Sequence, residues 1–96
     1  MNATYSLAKI KELLAKGDYR ITFSAIQSAK DDFGLLESEI VSEVAKLDST
    51  FFYKTMEAQK ASGLWQDVYR MQVKGIEAYI KLQINKDAII ISFKKK

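Results

Sequence analysis

Six side chains in the second half of this 96-residue sequence have types suited to holding and cutting a phosphodiester: Lys54, Gln66, Arg70, Tyr79, Lys81 and Lys94. Arginine offers a planar fork to phosphate oxygens, and lysine offers movable point charges. A tyrosine such as Tyr79 can stack on an unpaired base. Cutting RNA needs a base for the 2′-hydroxyl proton, charge stabilisation at the phosphorane and an acid for the leaving 5′-oxygen. The chain has no histidine. That leaves a lysine activated by neighbouring cations as the base, and tyrosine or a second lysine as the acid. The same pattern also fits a solvated sheet face, or a face that binds nucleic acid without cutting it.

These residues work together only if strands gather them. After Asp48 the hydrophobic pattern has period two, and Phe51–Glu57, Leu64–Val73, Ile76–Asn85 and Ala88–Lys94 read as strands. Lys74-Gly75 and Asn85-Lys86-Asp87 suit tight turns, whereas Ala58–Gly63 reads as a polar loop. Alternation sends Ile76, Ala78, Ile80, Leu82 and Ile84 to one face and Glu77, Tyr79, Lys81 and Gln83 to the other. Ile89, Ile91 and Phe93 are expected inward, with Ser92 and Lys94 outward. Trp65, Tyr69, Met71 and Val73 share the core side, Trp65 included as a core residue. The first strand is ambiguous, and a slip of one residue in any strand scatters the set.

The first half reads as three helices. Leu7, Ile10, Leu13 and Leu14 recur at helical spacing before Gly17. Thr22 can cap a second helix with Phe23, Ile26 and Ala29 on one side and Gly34 as its stop. Ser38 can cap a third, with Ile40, Val41, Val44 and Leu47 inward and Glu37 and Glu39 favoured near its N-terminus. Helices followed by an antiparallel meander predict one α+β domain over residues 1–96, with the helices on one face of the sheet.

Composition narrows the function classes. The chain lacks cysteine as well as histidine, so thiol chemistry, disulfides and Cys-ligated metals are excluded. Asp31 and Asp32 adjoin at a helix end and no other carboxylates cluster, so neither metal nor cofactor is expected. No apolar run approaches the ~20 residues of a membrane span, and the first residues carry no secretory pattern, so a cytoplasmic protein is expected. Residues 1–48 hold six basic and eight acidic groups, a charge of −2. Residues 49–96 hold nine basic and four acidic groups, a charge of +5. A basic half suggests a face that meets an anion.

Four segments occur in an order that resembles a known family: Phe52-Tyr53-Lys54-Thr55-Met56, Trp65-Gln66-Asp67-Val68-Tyr69-Arg70, Tyr79-Ile80-Lys81 and Ile91-Ser92-Phe93-Lys94. Together they look like the MqsR family, the toxin subunits of bacterial type II toxin–antitoxin systems. The resemblance implies a RelE-like α+β fold and an mRNA interferase that cuts single-stranded mRNA at short base-defined sites, without ribosome or metal. It implies a cognate antitoxin protein as partner and no membrane. It places the active site on Lys54, Gln66, Tyr79 and Lys94, with Tyr53, Met56, Arg70 and Lys81 as RNA contacts, and it turns Lys54 outward. Met71-Gln72-Val73-Lys74-Gly75 departs from the family pattern, and three consecutive lysines close the sequence. A noncatalytic nucleic-acid-binding regulator using the same basic face is the alternative.

Overall fold

The computed structural model describes residues 2–58 and 61–96 and shows three helices followed by most of a five-stranded sheet. Helix α1 spans Leu7–Lys16, strand β1 Tyr19–Ile21, helix α2 Phe23–Phe33 and helix α3 Glu37–Val44. Strands β2 Phe52–Ala58, β3 Ala61–Val73, β4 Ile76–Asn85 and β5 Asp87–Lys95 follow. The strand order is β1-β5-β4-β3-β2. The meander expected from the sequence is β2 to β5, all antiparallel. The added edge strand β1 pairs parallel to β5, so the sheet is mixed rather than wholly antiparallel. Three residues are too few to show a period, which is why β1 escapes a reading of sequence.

Local signals set the helices. Ser6 and Thr22 accept from Lys9 and Ala25 backbone N–H groups, and Gly17 and Gly34 end α1 and α2 in the left-handed conformation. Helix α3 begins one residue past Leu36, not at Ser38. Glu39 accepts the Leu36 backbone N–H at 2.8 Å, an acid at N3 replacing a hydroxyl cap. Helix α2 is also rotated from expectation. Ala25, Ala29 and Phe33 are buried, whereas Phe23 is 80% exposed and Ile26 half-buried. The cause lies in Thr22, whose backbone N–H donates to Ile90 O and whose hydroxyl donates to Ile91 O, fixing how α2 lies on β5.

All three helices pack on one sheet face. Ile10, Leu13, Leu14, Ala29, Phe33, Ile40 and Val44 meet Tyr69, Met71, Val73, Ala78, Ile80, Leu82, Ala88, Ile90 and Phe93 in a single cluster. Phe33 meets Phe93 edge to face at 5.6 Å. Lys74 and Gly75 both have positive φ, forming the β3–β4 turn, and the Lys74 ammonium donates to Phe33 O at the end of α2.

Three expectations about the strands change. Lys81 pairs with Ser92 but Leu82 pairs with Ile90, so Ile91 is an extra residue in β5. Upstream of that bulge the alternation reverses. Ala88 and Ile90 face the helices, while Ile89 is buried outside that cluster. The strands run into the expected Ala58–Gly63 loop, since β2 runs to Ala58 and β3 starts at Ala61. Gln59 and Lys60 lie outside the described residues. Trp65 is 40% exposed rather than core.

Asp67 ties the first residues of the chain to β3. Its carboxylate is fully buried and accepts the backbone N–H groups of Thr4 at 2.9 Å and Tyr5 at 2.8 Å, not a lysine or arginine. The Tyr5 hydroxyl donates to Trp65 O at 2.6 Å. Burial, and then the Asp67 charge, raise the Tyr5 phenol and push the Tyr69 phenol up to about 12. Asp67→Ala strands two amides and removes charge-assisted bonds, so it is expected to cost about 2–4 kcal/mol, read by urea unfolding. A loss below about 0.5 kcal/mol would mean that surface-level effects are all that Asp67 contributes.

Candidate functional site

The sheet face opposite the helices carries every site residue expected from the sequence. Directly paired residues of neighbouring strands share a face. Arg70 pairs with Tyr79 and Tyr79 with Lys94, giving one row across three strands. Lys54 pairs with Val68, Val68 with Lys81 and Lys81 with Ser92, giving a second row. Met56 pairs with Gln66 beside it. Tyr69, Met71 and Val73 belong to the helix-side cluster, so Gln66, Val68 and Arg70 between them point away.

A second bulge completes the set. Phe52 pairs with Tyr69 and packs edge to face against it at 5.6 Å, on the helix side. The next pair is Lys54 with Val68, leaving Tyr53 as the extra residue. Tyr53 and Lys54 therefore both reach the open face, and the Lys54 ammonium lies 5.4 Å from the Tyr53 ring centre. This resolves the ambiguity of the first strand, since no strict alternation describes Phe52-Tyr53-Lys54.

Arg70 stacks between two phenols. Its guanidinium carbon is 3.6 Å from the Tyr53 ring centre and 5.4 Å from that of Tyr79. The two rings meet at 5.9 Å and 60°. Arg70 Nε approaches Glu77 Oε1 at 3.6 Å, within ion-pair range but beyond a hydrogen bond, and it is buried without a hydrogen-bond partner. Glu77 thus places an acid within reach of the cationic patch. Alternation had already put Glu77 on this face; only its diagonal reach to Arg70 was invisible.

Tyr79 sits where these influences meet. Burial acts to raise its phenol. Hydrogen bonding to Arg70 and Tyr53, and the charges of Arg70 and Lys54, outweigh it and bring Tyr79 below the usual tyrosine range. The hydrogen bond with Tyr79 raises Arg70 above its ordinary value. Beside this row, Tyr79, Lys81, Lys94, Lys95 and Lys96 line an open depression of about 300 Å³. Arg20 reaches the same face at the β1 edge, because its neighbours Tyr19 and Ile21 pack on the core. Asp31 and Asp32 have separate partners, Gln27 and the Lys95 backbone, and among the described residues no three acidic groups converge.

Helices on one side and a cationic, tyrosine-bearing open sheet face on the other define an α+β protein whose polar chemistry is concentrated on a strand surface. Residues 2–95 match the family described as "Motility quorum-sensing regulator, toxin of MqsA". The chain is 34% identical over 90 residues to the mRNA interferase toxin MqsR of Escherichia coli (strain K12), covering 94% of this chain and 91% of that protein. The chain belongs to the MqsR toxin family.

The geometry sets a titration. Arg70 and its charge favour the Tyr79 phenolate, so Arg70→Ala is expected to move the Tyr79 ionisation to higher pH, followed by ultraviolet difference absorbance against a Tyr79→Phe reference. An unchanged midpoint would show that Arg70 does not govern the phenol.

Proposed function

We propose that this chain is an endoribonuclease toxin that cuts single-stranded mRNA, independently of ribosome and metal, using the open sheet face. The observation that carries this reading is the position of Tyr79, whose phenol is brought below its usual range within a row of Arg70, Tyr79 and Lys94. Family membership supports the class of activity: the E. coli relative is an mRNA interferase toxin.

Tyr79 is the proton donor to the departing 5′-oxygen. Surrounding cations stabilise the phenolate left behind, and such a phenol is a stronger acid than free tyrosine. Lys54 and Lys94 share the other two tasks, accepting the 2′-hydroxyl proton and neutralising the phosphorane. The 2′-oxygen bonds to phosphorus as the bond from phosphorus to the 5′-oxygen breaks, giving a 2′,3′-cyclic phosphate and a 5′-hydroxyl. Gln66 donates its amide to a phosphate oxygen or base edge. Tyr53, exposed beside Arg70, is a stacking platform, while Met56, Arg70 and Lys81 contact the strand along the same face. The whole chain acts as one toxin domain in the cytoplasm, and a cognate antitoxin protein holds it inactive. The cut falls at short base-defined sites.

Lys54→Ala and Tyr79→Phe are each expected to lower cleavage of a defined transcript by about 10²–10⁴-fold with circular dichroism unchanged. Folded variants cutting at the normal rate would remove both assignments. EDTA is expected to leave the rate unchanged, and abolition of cutting would contradict metal independence. RNA retained at low salt without any product would instead identify a binding regulator. Expression of the chain alone is expected to arrest growth, relieved by the antitoxin.

A further inference from the structure

The open face holds a polar side chain that the mechanism does not use. Gln83 lies in β4 between Leu82, which belongs to the helix-side cluster, and Ile84, which packs against it, so the Gln83 side chain is on the open side. Only 4% of it is exposed. Among the described residues its amide has no hydrogen-bond partner, and Arg70 Nε is the one side-chain atom both sealed and unpartnered. The Gln83 amide therefore keeps a narrow opening onto the face. A nearly buried amide left unpaired costs free energy, and such groups are few in a folded protein.

The surroundings of this amide are dry. Val68 and Ile89 are also buried on the open side, and Ile89 stands directly opposite Gln83. A hydrogen bond made there is stronger than in water, and a mismatched partner is penalised more. Gln66 adjoins Asp67 and Gln83 adjoins Leu82, the pair that ends the β3–β4 ladder, so two amides flank one point of the face. An amide presents a donor and an acceptor side by side, the complement of a nucleobase edge. Lys81 is two residues away, about 7 Å along β4, and Tyr79 four residues, about 13 Å.

We propose that Gln83 hydrogen-bonds the edge of one unpaired base, in a nucleotide flanking the reacting phosphate, and is a specificity-determining residue for the cut. This rests on the ribonuclease reading above and adds to it a group that reads the base. A base whose edge matches the amide satisfies it; one that does not leaves it unpaired among apolar neighbours.

The test uses oligoribonucleotides carrying a cut site mapped on a long transcript, with each position in turn given each of the four bases. Wild-type protein is expected to prefer one base at a flanking position by about ten- to a hundred-fold in kcat/KM. In Gln83→Met, which keeps the length and removes the amide, that preference alone is expected to vanish. Urea stability is expected to be unchanged or raised, since no hydrogen bond within the protein is lost. In the wild-type protein, the Gln83 side-chain amide resonance is expected to shift with an uncleavable 2′-O-methyl oligoribonucleotide of the preferred sequence, and not when that one base is changed. Wild-type protein that cuts, alongside a folded Gln83→Met with every base preference retained, overturns the assignment and leaves the ribonuclease reading standing. So does a Gln83 amide silent to the preferred sequence. Wild-type protein that cuts no RNA overturns both.

Discussion

The register of β2 against β3 is the constraint on which the open face depends. One extra residue between Phe52 and Lys54 lets Phe52 stay with Tyr69 on the helix side while Tyr53 and Lys54 turn outward together. Without it, alternation would separate Tyr53 from Lys54 by the thickness of the sheet. With it, Tyr53 lies against Arg70, and the Lys54 charge reaches Tyr79. A bulge in β5 acts similarly: Ala88 and Ile90 face the helices, yet Ser92 and Lys94 still point outward opposite Lys81 and Tyr79.

Work is divided between the two faces. The helix side supplies apolar burial, anchored by α2 on β5 and by the Lys74 ammonium on the end of that helix. The open side carries groups that repel one another. Lys54, Arg70, Lys81 and Lys94 are held within a few strands, with Glu77 pairing one of them. Stacking on Tyr53 and Tyr79 lets Arg70 be packed where an ammonium would be poorly accommodated. Midway along β3, Asp67 ties residues 4 and 5 to the strands that bear Lys54 and Gln66, and the hydroxyls of Thr4 and Thr55 meet at 2.7 Å.

Much of this was legible in the sequence. The period-two runs located β2 to β5, and alternation along β3 and β4 assigned Gln66, Arg70, Tyr79 and Lys81 to one face. Glycines 17 and 34 stopped α1 and α2 where expected. Several of the failures are cases in which a distant partner outweighs local pattern, and the others have local causes. Ile91 became a bulge, reversing Ile89. Thr22 bound β5 and rotated Phe23 out to solvent. Glu39, not Ser38, capped α3. Trp65 alternates with core residues along β3 yet stays 40% exposed. Glu77 and Asp32 look like ordinary surface acids until the fold places Arg70 beside one and the Lys95 amide beside the other.

The central claim is that the open sheet face, rather than the helices, is where RNA lies. Amide chemical-shift mapping with a 2′-O-methyl oligoribonucleotide, which lacks the attacking hydroxyl and so stays intact, addresses it most directly. The account predicts perturbations along residues 53–56, 66–70, 79–81 and 92–96, diminishing as salt is raised. Perturbations confined to α1, α2 and α3, with Tyr79 and Lys94 silent, would contradict it.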